Sequence, residues 1–352
     1  MAYQPVISSM SLGRAAVHEF EPKMAAARRN GFKAIELFME DLEIYANKHF
    51  GAEECIRRLH LAAAKIRDIC RAHNIQIMCL QPFMHYEGLR DRAEHAAAIT
   101  KMKLWIEIAH ILETDLISIP SSFLPEEEIS GDIDMIVQDL REVAELGIQT
   151  SPPIRFAYEA LGWGTYINKW EQAWHVVQRV DMSNFGLCLD TFNIAARIYA
   201  DPSVPSGVRP NADRQVQESV ACLVSTVDRS KVFYVQVVDA ERLDRPLVSG
   251  HEFYHPQQSA RMSWSRNCRL FYGEKAKGAY LPIATIADAI FNGLKFEGWV
   301  SAELFNRCMS DPDPATPQIL ARRAAISWNI FAKDLGLKAE PLEPEQQARD
   351  RQ

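Results

Sequence analysis

Residues 154–190 read IRFAYEALGWGTYINKWEQAWHVVQRVDMSNFGLCLD, and this stretch decides the fold. The runs at 154–159 and 185–190 are apolar almost throughout, the mark of strands buried on both faces of a parallel sheet. Between them, residues 168–179 carry a 3.6-residue periodicity. A strand, a helix and a second strand in that order form a parallel crossover unit. The same alternation continues in both directions. Further strands are expected near 6–11, 34–38, 75–81, 115–120, 232–238 and 298–303. Helical patterns fall near 22–30, 56–73, 131–146, 211–228, 284–293 and 316–334. The clearest spans Asp91 to Leu112, where Ile99, Met102, Trp105, Ile106 and Ala109 share one face. Eight strands alternating with eight helices, without a break in composition, predict an α/β fold of the closed (β/α)8 TIM-barrel type. A doubly wound sheet would carry a glycine-rich turn after its first strand, and SMSLGR offers no GxGxxG.

The 352 residues suit one such barrel, expected over 1–338. A net charge of −7 with no basic block disfavours a nucleic-acid partner. No stretch approaches the ~20 apolar residues that span a bilayer. The start, MAYQPVISSMSLGR, lacks the basic-then-apolar pattern of a secretory signal. Seven cysteines with no CxxC pair indicate neither a disulfide framework nor a thiolate zinc site. A reduced, cytoplasmic protein follows; whether it forms a homo-oligomer is left open. Two segments depart from the regular alternation. Residues 239–281 form a long insert after the seventh strand, rich in Arg, Ser, His and aromatic residues. Loops of that length are usually functional, and βα loops open onto the active face of a barrel; a subunit contact is the plainer alternative. The tail at 339–352 is polar and Pro-containing, and disorder is expected there.

Four late strands end in polar groups: FAYEAL, GLCLDTFN, YVQVVD and SAELFN. Alternation along a strand puts Glu159 with Ala157, Asp190 with Cys188, Gln236 with Tyr234 and Glu303 with Ser301. All four polar groups then face the barrel interior at its C-terminal mouth. Three carboxylates gathered there repel one another, so shared protons, arginines or a cation must compensate. With an amide oxygen they form a hard donor set, suited to Mg²⁺, Mn²⁺ or Co²⁺. Any one of them alone is better read as a cap for the next helix; four in successive strands favour metal. Glu36 in AIELF and Gln81 in CLQPF are inward candidates for substrate contact. His251 and His255 in the insert and His85 after the third strand are candidate proton carriers, although loop histidines are mostly solvated. Arg261, Arg266 and Arg269 are guanidiniums available to an anionic substrate.

These strand ends resemble the xylose-isomerase-like barrel superfamily of sugar isomerases and epimerases. In that superfamily Glu, Asp, His or Gln, and Glu from strands five to eight hold a divalent ion. The stretches ISSMSLGR, GFKAIELFMEDL, CLQPF, PPIRFAYEAL, FGLCLDTFNIAARIYADP, VFYVQVVDAE, ARMSWSRNCRLFYGEK and EGWVSAELFNRCMSD are similar, within it, to the fungal 3-dehydroshikimate dehydratases of quinate catabolism. The resemblance implies a lyase acting on a small molecule, 3-dehydroshikimate, to give protocatechuate and water with a divalent metal. It implies Glu159, Asp190, Gln236 and Glu303 as ligands and Arg269 at the mouth near substrate; for the proton transfers that such a dehydration needs, Glu159 and Glu303 are the candidates, with His251 as the outside one. Arg266 is a further candidate for the substrate anion. Leu161 and Asn193 stand where related barrels carry histidines, which leaves the general base open and makes Asn193 a candidate substrate contact. A metal-dependent sugar or inositol-type isomerase or epimerase is the alternative, since the same site could serve it.

Overall fold

The computed structural model describes residues 2–343. Eight parallel strands close on themselves: β1 (Tyr3–Ser8), β2 (Ala34–Phe38), β3 (Gln76–Gln81), β4 (Leu116–Pro120), β5 (Arg155–Glu159), β6 (Phe185–Asp190), β7 (Val232–Gln236) and β8 (Gly298–Ala302). Each pairs with its sequence neighbour, and β1 pairs with β8 from Tyr3 opposite Gly298 to Ile7 opposite Ala302. The strand order is that of the expected TIM barrel. Its interior is filled by Val6, Ala34, Met78, Cys79, Ala157, Cys188 and Tyr234 among others. Phe156, Tyr158, Leu187, Leu189 and Val235 belong to the second apolar layer, between sheet and helices. This is the division that strand alternation predicts.

The first strand lies three residues earlier than expected. Residues 3–5 are only half-buried, so the apolar signal begins late, and it runs on into a 3-10 turn over Ser9–Leu12 whose Met10 and Leu12 are buried. Helices α1 (Phe20–Arg29), α3 (Cys55–Ala72), α4 (Arg92–Leu112), α5 (Ile133–Ile148), α6 (Trp170–Val180), α8 (Ala212–Thr226), α10 (Ile283–Asp288) and α11 (Thr316–Asp334) match the expected set. Three more were not anticipated: α2 (Met39–Phe50), α7 (Thr191–Ile198) and α9 (Ala260–Cys268). The first two follow their strands with no loop, so no Gly- or Pro-rich turn separates the strand pattern from the helix.

The insert is compact. Asp239–Ala240 pairs antiparallel with Arg269–Leu270, α9 lies between, and the Trp264 side chain is fully buried. Asp239 Oδ1 accepts from the amides of Ala240, Tyr280 and Leu281, which ties the two ends of the insert together. Residues 339–343, for which disorder was expected, are part of the described structure and pack against α11. Residues up to 343 are docked: Leu342 is buried, and its amide and carbonyl both bond the Asn329 side chain. The remainder, 344–352, lies outside the described residues. All seven cysteines are free. Among the described residues no helix is long and apolar enough to cross a membrane.

Candidate active site

The C-terminal ends of the strands surround a cavity of about 370 Å³. Glu159 and Glu303 line it together with Gln81, Leu161, Arg266 and Arg269. Asp190 and Gln236 are buried beside these groups but do not line it. Asp190 Oδ1 does what a strand-end carboxylate commonly does, accepting from the amides of Phe192 and Asn193 to cap α7. Its second oxygen takes part in the acid cluster.

Arg269 is the hub of that cluster. Its Nη1 donates to Asp190 Oδ2 at 2.9 Å and to Glu303 Oε2 at 3.0 Å, and its Nε donates to Ser265 Oγ at 3.0 Å. The guanidinium carbon sits 4.3 Å from the Phe192 ring centre and 5.3 Å from that of Phe305. A guanidinium held between two rings and forked onto two carboxylates is fixed in position. Arg269, expected at the mouth near substrate, lines the cavity, and its charge is engaged by protein carboxylates. Asn193 is likewise engaged: Nδ2 donates to Glu159 Oε1 at 2.7 Å and Asp190 Oδ2 at 2.9 Å, and Oδ1 accepts from the Gly162 amide. It spaces two carboxylates and does not line the cavity. Glu36 lies within the network, where its carboxylate accepts from Gln81 Nε2 at 3.0 Å and Gln236 Nε2 at 3.1 Å. Gln81 Nε2 also donates to Glu303 Oε1 at 2.9 Å.

The electrostatics follow from crowding. Burial, then the charges of Asp190 and Glu303, push Glu159 well above the ordinary carboxylate range, against the pull of Arg269. Burial raises Glu303 to about 7, with Arg269 opposing and Asp190 adding. Glu36 is raised to about 8 by burial and by Glu303. Four carboxylates share one internal guanidinium, so the site is short of positive charge.

The histidines lie elsewhere. His251 is buried in the insert, its Nδ1 accepts from the Phe253 amide at 3.1 Å, and it does not line the cavity. His255 Nδ1 accepts from the exposed backbone at Gln257. His85 is nearer, between the cavity-lining Met84 and the ring of Phe123; burial, Lys101 and Arg266 lower it to about 4, so its imidazole is neutral at pH 7. Arg261 is spent on the carbonyls of Ala196 and Ala200. Among the described residues His95, Asp139 and Glu142 bring ligand atoms within 4.8 Å of one another. Arg92 already donates to both Asp139 oxygens there, which accounts for the cluster as an ion-pair network joining α4 to α5. Sequence reasoning missed Arg14, which also lines the cavity. The available signal was its place in the segment that follows β1, just past the 3-10 turn over Ser9–Leu12, on the side of the same mouth.

The chain is 56% identical over 340 residues to the 3-dehydroshikimate dehydratase of Neurospora crassa, covering 95% of each chain. It is 28% identical over 284 residues to the enzyme of that name from Pseudomonas aeruginosa, covering 81% of this chain and 36% of that one. It thus spans about a third of the bacterial relative. Among solved structures, the IOLI protein crystallised with a binding zinc atom superposes with a TM-score of 0.67 at 17% identity, over 94% of this chain and 98% of that one. The family model for the xylose isomerase-like TIM barrel matches residues 24–326. A closed eight-stranded barrel with its acid cluster at the C-terminal mouth, matched over most of its length by that model, belongs to the xylose isomerase-like TIM barrel family.

Proposed function

We propose that this chain is a 3-dehydroshikimate dehydratase, a hydro-lyase that converts 3-dehydroshikimate to protocatechuate and water. The observation that carries the reading is 56% identity, across 95% of both chains, to a protein of that name. An isomerase or epimerase on the same barrel is not favoured, because the fold alone supports it.

A divalent cation fits the donor set. Gln236 gives its amide nitrogen to Glu36, and its Oε1 is left with only the Cys188 thiol, at 3.6 Å. A buried carbonyl oxygen so weakly satisfied, beside carboxylates that one guanidinium cannot neutralise, suits a hard ion. Glu159, Asp190, Gln236 and Glu303 would hold Mg²⁺, Mn²⁺ or Co²⁺. When bound, the ion supplies Lewis-acid stabilisation of negative charge developing on the substrate ketone. Glu159 and Glu303, the two of these donors that line the cavity, are assigned the proton transfers. One carboxylate takes a proton from the carbon beside the ketone. The C–H electron pair becomes a C=C bond as the neighbouring C–O bond breaks, and the other carboxyl, in its protonated form, delivers its proton to the departing oxygen as water. Enolisation of the ketone then completes the aromatic ring. Asn193 and Arg269 hold the carboxylates in place, and His251 has no step.

The test is direct. Metal-loaded and chelated protein are each given 3-dehydroshikimate, and the catechol absorbance is followed. Aromatic product from the loaded sample and not from the chelated one is expected. Loaded protein that leaves the substrate unchanged removes the reading.

A further inference from the structure

We propose that Arg14 and Arg266 form a two-arginine clamp for the substrate carboxylate at the rim of the cavity. Three arginines line the cavity: Arg14, Arg266 and Arg269. Arg269 is already bonded to Asp190 and Glu303. The other two, among the described residues, make no ion pair, and Glu40 on the same wall pairs with neither.

Arg14 is held by its backbone while its charged head stays uncommitted. Gly13 adopts φ +125°, where a Cβ would meet His18 Cδ2 at 2.4 Å, so the turn that aims Arg14 requires glycine. The ring of His18 is fixed in turn by the Asp311 carbonyl at 2.8 Å. The Arg14 amide donates to the Met309 carbonyl at 2.9 Å. Its guanidinium has a ring and a thioether as neighbours, Phe305 at 5.9 Å to the centroid and Met10 Sδ at 3.8 Å. Arg266 comes from the last turn of α9, three residues before Arg269. Partial loss of solvent around its head and the charge of Arg14 both lower the pKa of Arg266, so the two guanidiniums sense each other. Two like charges turned toward one cavity without an anion between them cost stability until an anion arrives.

The exposures give the cavity a polarity. Glu159 and Glu303 are 5% and 4% exposed, whereas Arg14 is half-buried and Arg266 exposed, so the floor is acidic and the rim basic. A ring with a carboxylate on one side and a ketone and hydroxyls on the other matches that polarity. The clamp rests on the dehydratase reading for the identity of its ligand, but a ring carboxylate can be tested without turnover.

The experiment uses the full, metal-loaded chain with Arg14→Gln, Arg266→Gln and both together, and an exposed control, Arg214→Gln. Binding of protocatechuate and of its uncharged methyl ester is measured by calorimetry beside kcat and KM for 3-dehydroshikimate. The unaltered chain should favour the acid over the ester, and each single variant should lose about tenfold in kcat/KM, mostly through KM, in line with a lost charge-assisted contact. The double variant should bind acid and ester alike with normal metal content. An acid preference that survives in the double variant, or is missing from the unaltered chain, overturns the clamp. If the double variant does not fold, Arg14→Lys with Arg266→Lys replaces it: a reduced acid preference supports the fork, and an undiminished one overturns it. A chain that forms no aromatic product yet loses its acid preference on double substitution keeps the clamp and loses the dehydratase reading. Turnover with an unchanged KM in the double variant does the reverse.

Discussion

At Glu303 two opposing demands meet in one carboxylate. Folding favours its neutral form, since burial lifts it to about 7, whereas an ion beside it requires the charged form. Glu303→Gln should therefore bind divalent ions much more weakly and lose turnover, while the metal-free protein melts no lower than the parent. Elemental analysis and thermal melting read both effects, and a variant with full metal content and activity removes Glu303 from the ligand set. Most residues at this scale could be read from strand alternation, because a period of two assigns each side chain to one face. That argument brought out Glu159, Asp190, Gln236, Glu303, Glu36 and Gln81. It could not tell which of the inward groups would spend their hydrogen bonds on one another. Arg269 and Asn193 looked available in the sequence because Asp190 and Glu303, which engage Arg269, come from different strands, and Glu159 engages Asn193 across a strand gap.

The insert is the element that brings arginines to the mouth. Asp239 holds its two ends through three amide hydrogen bonds, α9 between them carries Ser265 and Arg266, and Arg269 follows directly after it. Asp239→Ala strands those buried amides, and hydrogen bonds to a charged acceptor are worth about 1.5–3 kcal/mol each before relaxation. A loss of roughly 2–4 kcal/mol in stability is expected, with faster hydrogen exchange across 239–281 and a raised KM. Asp239→Asn, which keeps an acceptor oxygen, should lose less. Unchanged exchange in the alanine variant would assign the closure to Trp264 and its packing instead. The insert was legible as a functional segment from its length and composition, but not its internal fold, which depends on pairing across about thirty residues. That explains His251: an imidazole on a long loop after the seventh strand, it suited a proton carrier, yet the loop folds it against Phe253. His251→Ala should leave kcat within a few-fold of the parent, and a drop of 10²-fold or more, the usual cost of a lost acid or base, would return it to the chemistry.

For the whole molecule, the barrel was legible because every strand–helix unit repeats the same burial pattern, and closure follows once eight units are present. The docking of residues 339–343 was not, since it depends on Asn329 and Trp328 of α11 offering bonds to an otherwise polar segment. The folding equilibrium carries a further consequence of burial, at Glu87, away from the proposed ligands. Glu87 Oε1 accepts from the Ser122 amide at 2.7 Å and from the Tyr158 hydroxyl at 3.0 Å, while Oε2 is buried without a partner. Burial raises this carboxyl to about 7, with those hydrogen bonds opposing. The folded chain therefore keeps a proton at Glu87 that the unfolded chain, with an ordinary carboxylate near 4.3, releases first. Between those two values the native state binds more protons than the unfolded state, so stability falls as pH rises. The contribution is fully present below about pH 4, declines through neutrality and is absent above the folded value, with a total on the order of 3–4 kcal/mol. Glu87→Gln keeps the acceptor oxygen in an uncharged group of the same shape. Denaturant unfolding of parent and variant at pH 5, 6, 7 and 8 should show the variant gaining relative stability with each step upward. Parallel curves would mean that Glu87 is ionised in the folded protein, with water reaching Oε2.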